Sequence, residues 1–223
     1  MSTFTMGGVL SMAAKWVDGS ATATDAVQVQ LPLSGGTGSG QANSYWRMSI
    51  SIPAGDTHNI DLTALAASYF GGSVSLNLAS VKVLMLRNLS TRTPLTVNAS
   101  ATNAWTPFKP GTIGIDSVVM LREGGSGRAV SSTSKIISVV NGATTTSLAG
   151  TATGTTITGL SSTSGLYAGM LVGGTHPSGT TIATIASSTS VTTSAAVTTN
   201  GAGTFAFTPP PAVLDVLVVG VLA

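Results

Sequence analysis

The residues that could perform acid–base chemistry are few in this chain of 223 residues. It contains one glutamate, Glu123, and two histidines, His58 and His176, and it has no cysteine. The lack of cysteine excludes a disulfide framework, a thiolate metal site and a thiol nucleophile. Acid–base catalysis requires carboxylates or histidines that converge in one pocket. Both histidines lie in turn-like sequence, and we therefore expect that the protein is not an enzyme.

Metal binding and nucleophilic catalysis are equally poorly supported. His58 and Asp61 lie three residues apart, but two ligands are fewer than the three or four that a zinc site uses. The aspartates are well separated and mostly stand beside turn residues, where they can hydrogen-bond their own backbone. Serines are abundant, yet no Gly-x-Ser-x-Gly motif lies between a strand and a helix. We predict no catalytic residue, no cofactor site and no metal site.

Charged residues are scarce. Asp, Glu, Lys and Arg make up 7% of the chain, whereas a typical soluble domain has roughly 25%. The nine Lys and Arg residues are scattered between Lys15 and Lys135, without the basic stripe that binds nucleic acid. A surface so poor in charge has little self-repulsion and tends to associate. We expect a surface that partners cover, and no direct contact with nucleic acid.

Targeting signals are not apparent. Residues 1–16 lack the positively charged start and the long apolar run of a signal peptide. The most apolar stretch, residues 213–223, is too short to span a bilayer and contains Asp215. We expect synthesis in the cytoplasm of a cell and no association with a membrane.

Hydrophobic periodicity predicts an all-β fold. Residues 46–52 alternate between apolar and polar types, the pattern of a half-buried strand, and a Pro-Ala-Gly-Asp turn follows. Residues 62–69 are the one segment that could form a helical turn or two. Short strands separated by breaks rich in Gly, Ser and Pro favour a β-sandwich or jelly-roll-like domain over an open sheet. Four further runs are apolar on both faces and predict central strands: residues 81–86, 117–121, 136–140 and 213–221.

A second unit is indicated by the distribution of charge. No Asp, Glu, Lys or Arg occurs between Lys135 and Asp215. Within this segment the motif Gly-Thr-Thr-Ile occurs at residues 154–157 and again at 179–182, which is too few copies for a solenoid. Thr and Ile favour strands and Gly favours turns, so we predict a small Thr/Gly-rich β module at residues 143–208. Low-complexity disorder is the alternative.

The order of these segments predicts an insertion. The last apolar run follows the uncharged module and three consecutive prolines, residues 209–211. It resembles the strands of the first part of the chain, and a stiff proline connector leads into it. We predict a β-sandwich domain formed by residues 1–142 and 209–223, with residues 143–208 inserted before its last strand.

Two tryptophans have different expected roles. Trp46 belongs to the alternating pattern of a predicted strand, so we expect it in the core. Trp105 lies in loop-like sequence, and aromatic residues are enriched at the centres of protein interfaces. We predict Trp105 as a candidate contact with a partner.

Several segments resemble a group of small structural proteins encoded among phage head and tail genes. In the uncharged module, residues 165–172 (GLYAGMLV) and the Gly-Thr-Thr-Ile motifs resemble repeats of phage tail and decoration proteins. In the first domain the similar segments are residues 61–65 (DLTAL), 78–90 (LASVKVLMLRNLS), 95–98 (LTVN) and 214–220 (LDVLVVG). The resemblance implies a β-sandwich that is a component of a virus particle.

This resemblance leads to two hypotheses. The first is a capsid decoration (cement) protein on the outer surface of a phage head, where it stabilises contacts between capsomers. Its partners would be the major capsid protein and copies of itself in a homotrimer. The alternative is a tail-associated or receptor-binding module that recognises a host surface. A glycan hydrolase is the weakest candidate, because that chemistry needs two carboxylates at a defined separation.

Overall fold

The structure is a computed structural model that describes residues 5–18, 21–69, 72–98, 102–108, 111–123 and 125–223. Residues 1–4, at the start of the segment considered as a signal peptide, lie outside the described residues. Within the described ranges the chain forms β-strands and no helix, which confirms the all-β prediction. The same ranges contain no helix with the length and hydropathy needed to cross a bilayer.

The described strands are numbered in chain order. The first ten are β1 (Thr5–Asp18), β2 (Ala21–Gly35), β3 (Gln41–Ala42), β4 (Ser44–Ile52), β5 (Thr57–Asp61), β6 (Leu65–Tyr69), β7 (Gly72–Leu76), β8 (Leu78–Asn88), β9 (Leu95–Asn98) and β10 (Gly111–Ile113). The others are β11 (Val118–Arg122), β12 (Arg128–Ala129), β13 (Ile136–Asn141), β14 (Thr146–Thr153), β15 (Thr156–Thr158), β16 (Leu171–Val172), β17 (Ile182–Ser187), β18 (Ser190–Thr193), β19 (Gly201–Thr208) and β20 (Ala212–Leu222).

Two of the sheets pack face to face as a β-sandwich. One has the order β11-β8-β20-β4, with β12 paired to β8, and the other has the order β10-β9-β13-β5. One cluster of buried apolar residues, from Trp46 to Val218 along the chain, draws on strands of both sheets. Alternate residues of each strand point into this cluster, as the period of a strand requires. This cluster is the core that holds the first unit together.

The last strand lies in the middle of its sheet. β20 pairs antiparallel with β4 from Ala212 to Gly220 and with β8 from Leu214 to Leu222. A Cβ atom at Gly220 would lie 2.3 Å from the carbonyl oxygen of Ser80, so this close approach to β8 requires glycine. The sheet is therefore complete only when the C-terminal strand returns to it after the module.

Two sequence predictions about individual strands were wrong. Residues 117–121, expected in a central strand, fall largely in β11, which lies at the edge of its sheet. Residues 62–69, expected to allow a helical turn, contain β6, which forms a hairpin with β7. The carbonyl oxygen of Ala66 in β6 accepts a hydrogen bond of 2.7 Å from the indole Nε1 of Trp46. This tertiary contact favours the extended conformation over the weak local preference for helix.

Residues 146–208 form a separate sheet with its own core. The strand order is β16-β19-β14-β15-β18-β17, and the buried cluster of this sheet runs from Ala152 to Phe207. The isoleucines of the two Gly-Thr-Thr-Ile motifs, Ile157 and Ile182, are both buried in this cluster. They lie on the two strands that flank β18. Each copy of the motif thus leads into a strand and places its isoleucine in the core of the module.

The two ends of the module lie close together in space. The hydroxyl groups of Thr145 and Thr208 are 3.0 Å apart. At the entry, the buried Asn141 donates a 2.9 Å hydrogen bond to the carbonyl oxygen of Ile52 and accepts one of 3.0 Å from the backbone N–H of Ala143. Adjacent ends allow an insertion without distortion of the host sheet.

A long hairpin precedes the sandwich. β1 pairs antiparallel with β2 in an unbroken register from Thr5 opposite Ser34 to Asp18 opposite Ala21. At its base β2 also pairs with β3. There Leu33 and Ala42 are buried against Val83 of β8 and Val219 of β20. The hairpin is therefore rooted on the face of the first sheet that points away from the sandwich core.

Replacement of residues 144–208 by a short Gly-Ser linker should leave a folded β-sandwich, because the two units have separate cores and the module's ends are adjacent. All three tryptophans lie outside the replaced segment, and Trp46 and Trp105 are buried in the sandwich core. Tryptophan emission therefore reports on the sandwich. The shortened chain should keep the blue-shifted emission of the full chain and a single cooperative urea transition.

The control is Val216→Asp in the same shortened chain, since Val216 is fully buried in the sandwich core and an unpaired buried charge should unfold it. Emission from the shortened chain that matches this control, together with rapid proteolysis, would show that the sandwich needs the module in order to fold.

Candidate interaction surface

A shallow groove lies on the outer face of the first sheet, beside the root of the hairpin. We call it the sheet groove. Its volume is about 490 Å³, and seven residues line it: Arg47, Met85, Arg87, Asp116, Val118, Asp215 and Leu217.

The register of the sheet explains how these residues meet. Leu217 of β20 stands opposite Met85 of β8 on one side and opposite Arg47 of β4 on the other. Met85 in turn stands opposite Met120 of β11. Directly opposed residues in neighbouring strands share one face, so these four form a row across the sheet. The row is apolar over three strands and ends in a cation at β4.

The next row of the same face supplies charge. Asp215 stands opposite Arg87, and Arg87 opposite Val118. Asp215 accepts two hydrogen bonds from Arg47, from Nε to Oδ1 at 3.2 Å and from Nη2 to Oδ2 at 2.8 Å. Arg87 forms a 3.2 Å ion pair with Asp116. The groove therefore has an apolar floor with two Arg–Asp pairs beside it.

The Arg47–Asp215 pair fixes the geometry of the groove. The Asp215 side chain is 8% exposed, whereas that of Arg47 is 58% exposed. A two-point pair of this kind holds the guanidinium in one orientation. The hydrogen bond to Asp215, and then its charge, raise the pKa of Arg47. Ion pairs with an exposed member add little to folding stability, so the pair is better understood as orienting the Arg47 guanidinium.

The composition of the groove is that of a protein interface. Met and Arg are enriched at interface cores relative to the rest of a protein surface. Val118 is 54% exposed at the edge of the groove, whereas most of the large apolar side chains that the structure describes are not exposed to this degree. The groove can bind an apolar strip of another polypeptide and can pair its arginines with carboxylates of that strip.

A second feature is the junction between sandwich and module. The Arg92 guanidinium carbon lies 4.5 Å from the centroid of the Tyr167 ring, a cation–π contact worth about 0.5–1 kcal/mol when exposed. Clefts of about 270 and 350 Å³ share this pair and are lined further by threonines and prolines of both units. Arg92 and Tyr167 thus bridge the two units.

The loop that carries Arg92 is held from within the sandwich. The side-chain amide of the buried Asn88 donates to the carbonyl oxygens of Thr93 at 2.8 Å and Gly114 at 3.0 Å. Ser90 Oγ accepts a 3.0 Å hydrogen bond from the backbone N–H of Val213, at the start of β20. The junction is therefore anchored where the chain leaves the module.

Trp105 lies in the core and not on the surface. Its side chain is 2% exposed, and its indole Nε1 donates a 2.9 Å hydrogen bond to the carbonyl oxygen of Ala129. A partner cannot reach a side chain buried to this degree in the folded chain. The sequence suggested a contact residue because the neighbouring residues resemble a loop, but the Trp105 side chain is part of the sandwich core.

Asp61 and Glu123, which the sequence offered as candidates for chemistry, each form an ion pair with a lysine or an arginine. Asp61 accepts hydrogen bonds from Lys135 Nζ at 2.8 Å and from Thr63 Oγ1 at 2.6 Å. Burial raises the pKa of Asp61, but the hydrogen bonds from Lys135 and Thr63 outweigh it and lower the pKa below 3.8. Glu123 pairs with Arg128 at 2.9 Å. No cluster of three or more potential metal ligands occurs among the described residues.

Lys82 is a structural residue that sequence analysis missed. It is fully buried, and its Nζ donates to the carbonyl oxygens of Gly125 at 2.5 Å and Gly38 at 3.3 Å. The ammonium group thereby joins two glycine-containing loops beside the hairpin root. A lysine within the apolar run at residues 81–86 was the available signal, since a charge in such a run must find partners.

His176 is buried in the module without polar partners. It is 9% exposed and packs edge-on against Phe205, with ring centroids 5.7 Å apart. Neither ring nitrogen has a hydrogen-bond partner within the described part of the chain. Burial lowers the pKa of His176 below 6.5. The neutral ring is thus part of the apolar core of the module.

Comparisons with protein-family models, with curated protein sequences and with solved structures find no match to this chain.

The His176→Phe variant should remove an acid-dependent loss of module stability. In the unfolded chain His176 titrates near 6.5, whereas its folded pKa is lower. Between these two values the unfolded state binds more protons, so stability falls as the pH drops below about 6.5 and levels off below the folded pKa. The loss amounts to about 1.4 kcal/mol for each unit by which the two pKa values differ.

Calorimetry of the full chain from neutral pH down to pH 4 would measure this difference. His58→Gln is the control, because it changes the one other histidine and should keep the loss seen in the wild-type chain. Equal acid sensitivity of the His176→Phe variant and the wild type would contradict the assignment.

Proposed function

We propose that this chain is a virion structural protein, and specifically a capsid decoration (cement) protein on the outer surface of a phage head. The single observation that carries the proposal is the sheet groove, an apolar floor beside oriented arginines on an otherwise weakly charged chain. Such a surface suits a permanent contact with protein rather than the transient binding of a small molecule. The phage assignment itself comes from the resemblance of four segments of the first domain to phage structural proteins.

The fold supports this role mechanically. Every described element is a strand, and the chain returns to the middle of its first sheet in β20. A clamp between neighbouring capsomers needs a rigid body of this kind, with one surface that stays apolar until a partner covers it. We propose the major capsid protein and copies of the chain itself, arranged as a homotrimer, as its partners.

The alternative, a tail-associated module that recognises a host surface, is favoured by a different feature. The two clefts at the junction combine the Tyr167 ring and the Arg92 guanidinium with threonine hydroxyl groups. Aromatic rings beside hydroxyl and cationic donors can bind polar ligands, glycans among them. This alternative requires that the junction, and not the sheet groove, contacts the host surface.

The Val118→Asp variant should fail to join virus particles, because it places a charge on the edge of the sheet groove where a partner must exclude water. Val74→Asp is the matched control: Val74 is 45% exposed, similar to Val118 at 54%, but lies on β7. Each variant would be supplied in infected cells that lack the wild-type chain, and the protein that cosediments with purified particles would be quantified.

We expect at least a tenfold loss of bound Val118→Asp, the equivalent of about 1.4 kcal/mol, and wild-type binding of Val74→Asp. Particles made with Val118→Asp should also lose DNA at a lower temperature than wild-type particles, since they lack the bound decoration protein. Equal incorporation of Val118→Asp and the wild type would contradict the proposal, and a loss of host attachment with normal incorporation would favour the alternative.

A further inference from the structure

The first sheet of the sandwich ends in two edge strands. Its order places β11 at one edge and β4 at the other. Among the described strands, β4 pairs with β20 alone and β11 pairs with β8 alone. An edge strand presents a row of backbone N–H and C=O groups that another strand can pair with. Both edges can therefore bind the backbone of an extended polypeptide.

Hydrogen bonds within the sheet show which backbone groups lie at the β4 edge. The N–H of Leu89 donates to the carbonyl oxygen of Val213 at 2.8 Å, so the odd-numbered residues of β20 turn toward β8 and the even-numbered ones toward β4. Each even-numbered residue of β20 stands opposite an even-numbered residue of β4. The backbone groups of Arg47, Ser49 and Ser51 therefore point away from the sheet, and no described residue hydrogen-bonds to them.

The β11 edge is arranged in the same way. The N–H of Asn88 donates to the carbonyl oxygen of Ser117 at 2.9 Å, so the odd-numbered residues next to and within β11 turn toward β8. The backbone groups of Val118, Met120 and Arg122 point outward. Within the described part of the chain these groups have no hydrogen-bond partner.

The directions of the strands make the two edges complementary. Each step from β11 through β8 and β20 to β4 is antiparallel, so the two edge strands run in opposite directions. A rotation about an axis along the strands keeps the direction of every strand. Such a rotation brings β4 of one copy beside β11 of a second copy in antiparallel orientation, which continues the alternation of the sheet.

The side chains at the β4 edge lack an apolar neighbour. Trp46, Ile50 and Ile52 face the sandwich core and are buried, whereas Met48 between them is 44% exposed. Met48 lines a slot of about 210 Å³ formed by β4, β5 and β6. On β11, Val119 packs against the same core and is partly buried. The edge of a second copy can therefore supply the neighbour that Met48 lacks.

Charge selects the register of this pairing. With the outward backbone groups of the two edges facing each other, two registers place an apolar residue of β11 opposite Met48, namely Val119 or Leu121. The register with Leu121 also sets Arg47 opposite Arg122, and like charges directly opposite each other are destabilising. The register with Val119 does not oppose the two arginines.

We propose that β4 of one copy pairs antiparallel with β11 of a second copy, with Met48 opposite Val119. The inference rests on the proposed self-association and names the two strands that produce it. Because the contact joins two different edges, it is heterologous, and three such contacts close the proposed homotrimer. The pairing uses the edges of the sheet and leaves the floor of the sheet groove, which lies on the face, for a different polypeptide.

Sedimentation velocity of the full chain over a concentration series tests the pairing. Ser49→Pro removes an outward N–H that the sheet itself does not use, so the fold should tolerate proline there. Ser49→Ala is the control, because it keeps the N–H and removes only the hydroxyl group. We expect the wild type to associate and Ser49→Pro to weaken association at least about tenfold, since a carbonyl oxygen of the second copy loses its donor. Ser49→Ala should stay within about twofold of the wild type.

The other outcomes overturn the inference in recognisable ways. A monomeric wild type at micromolar concentration would overturn both the pairing and the proposed homotrimer. It would leave the contact with the capsid protein in place, which the incorporation of Val118→Asp tests. An oligomer that Ser49→Pro does not weaken would overturn the pairing and leave self-association in place. Tryptophan emission controls for unfolding of Ser49→Pro, since Trp46 lies on the same strand.

Disulfide trapping tests the pairing without a proline variant, because the chain has no cysteine of its own. Met48 and Val119 would form a pair without mutual backbone hydrogen bonds, whose Cα atoms lie about 4.5 Å apart, within the range of a disulfide. A mixture of the Met48→Cys and Val119→Cys chains should give a cross-linked dimer that contains one copy of each.

Val74→Cys replaces Met48→Cys in the control mixture, since Val74 is exposed to the same degree but lies on β7. The control mixture should give no cross-linked dimer. Equal cross-linking in both mixtures would contradict the pairing. Cross-linking of Met48→Cys with itself would show two β4 edges paired about a twofold axis, and it would likewise overturn the pairing of β4 with β11.

Discussion

The pairing of β20 between β4 and β8 is the constraint on which the rest of the structure depends. The strand completes the middle of the first sheet, yet it follows the whole Thr/Gly-rich module in the chain. The module must therefore return the chain to the point where it left, which the 3.0 Å approach of the Thr145 and Thr208 hydroxyls reflects. On its inner face β20 completes the sandwich core, and on its outer face it carries Asp215, Leu217 and Val219.

The outer face of β20 links the fold to the proposed role. Asp215 orients Arg47, Leu217 forms part of the groove floor, and Val219 holds the hairpin root. One strand thus contributes both to the anchor of the hairpin and to the sheet groove. In a chain with 7% charged residues, the sheet groove combines apolar side chains with two arginines, each paired with one aspartate. For this reason we propose that it binds another polypeptide.

Much of the fold could be predicted from local patterns. Runs that are apolar on both faces correctly predicted that β8, β13 and β20 have a neighbouring strand on each side in their sheets. The same pattern wrongly predicted a central position for β11, which lies at the edge of its sheet. Val118 and Met120 of β11 are apolar although they belong to the outer face of the sheet. The sheet groove could not be predicted, since it depends on which strands are neighbours and in what register. Burial of Trp105 was missed because its hydrogen bond to Ala129 is a tertiary contact.

We propose that this chain is a repeated component of a virus head, and its copy number per particle tests that proposal most directly. Quantitative mass spectrometry of purified particles, with the major capsid protein as the internal standard, would give the number. A decoration protein should be present in hundreds of copies, in a fixed ratio to the capsid protein. A handful of copies would place the chain in the tail, and its absence from purified particles would contradict the proposed role.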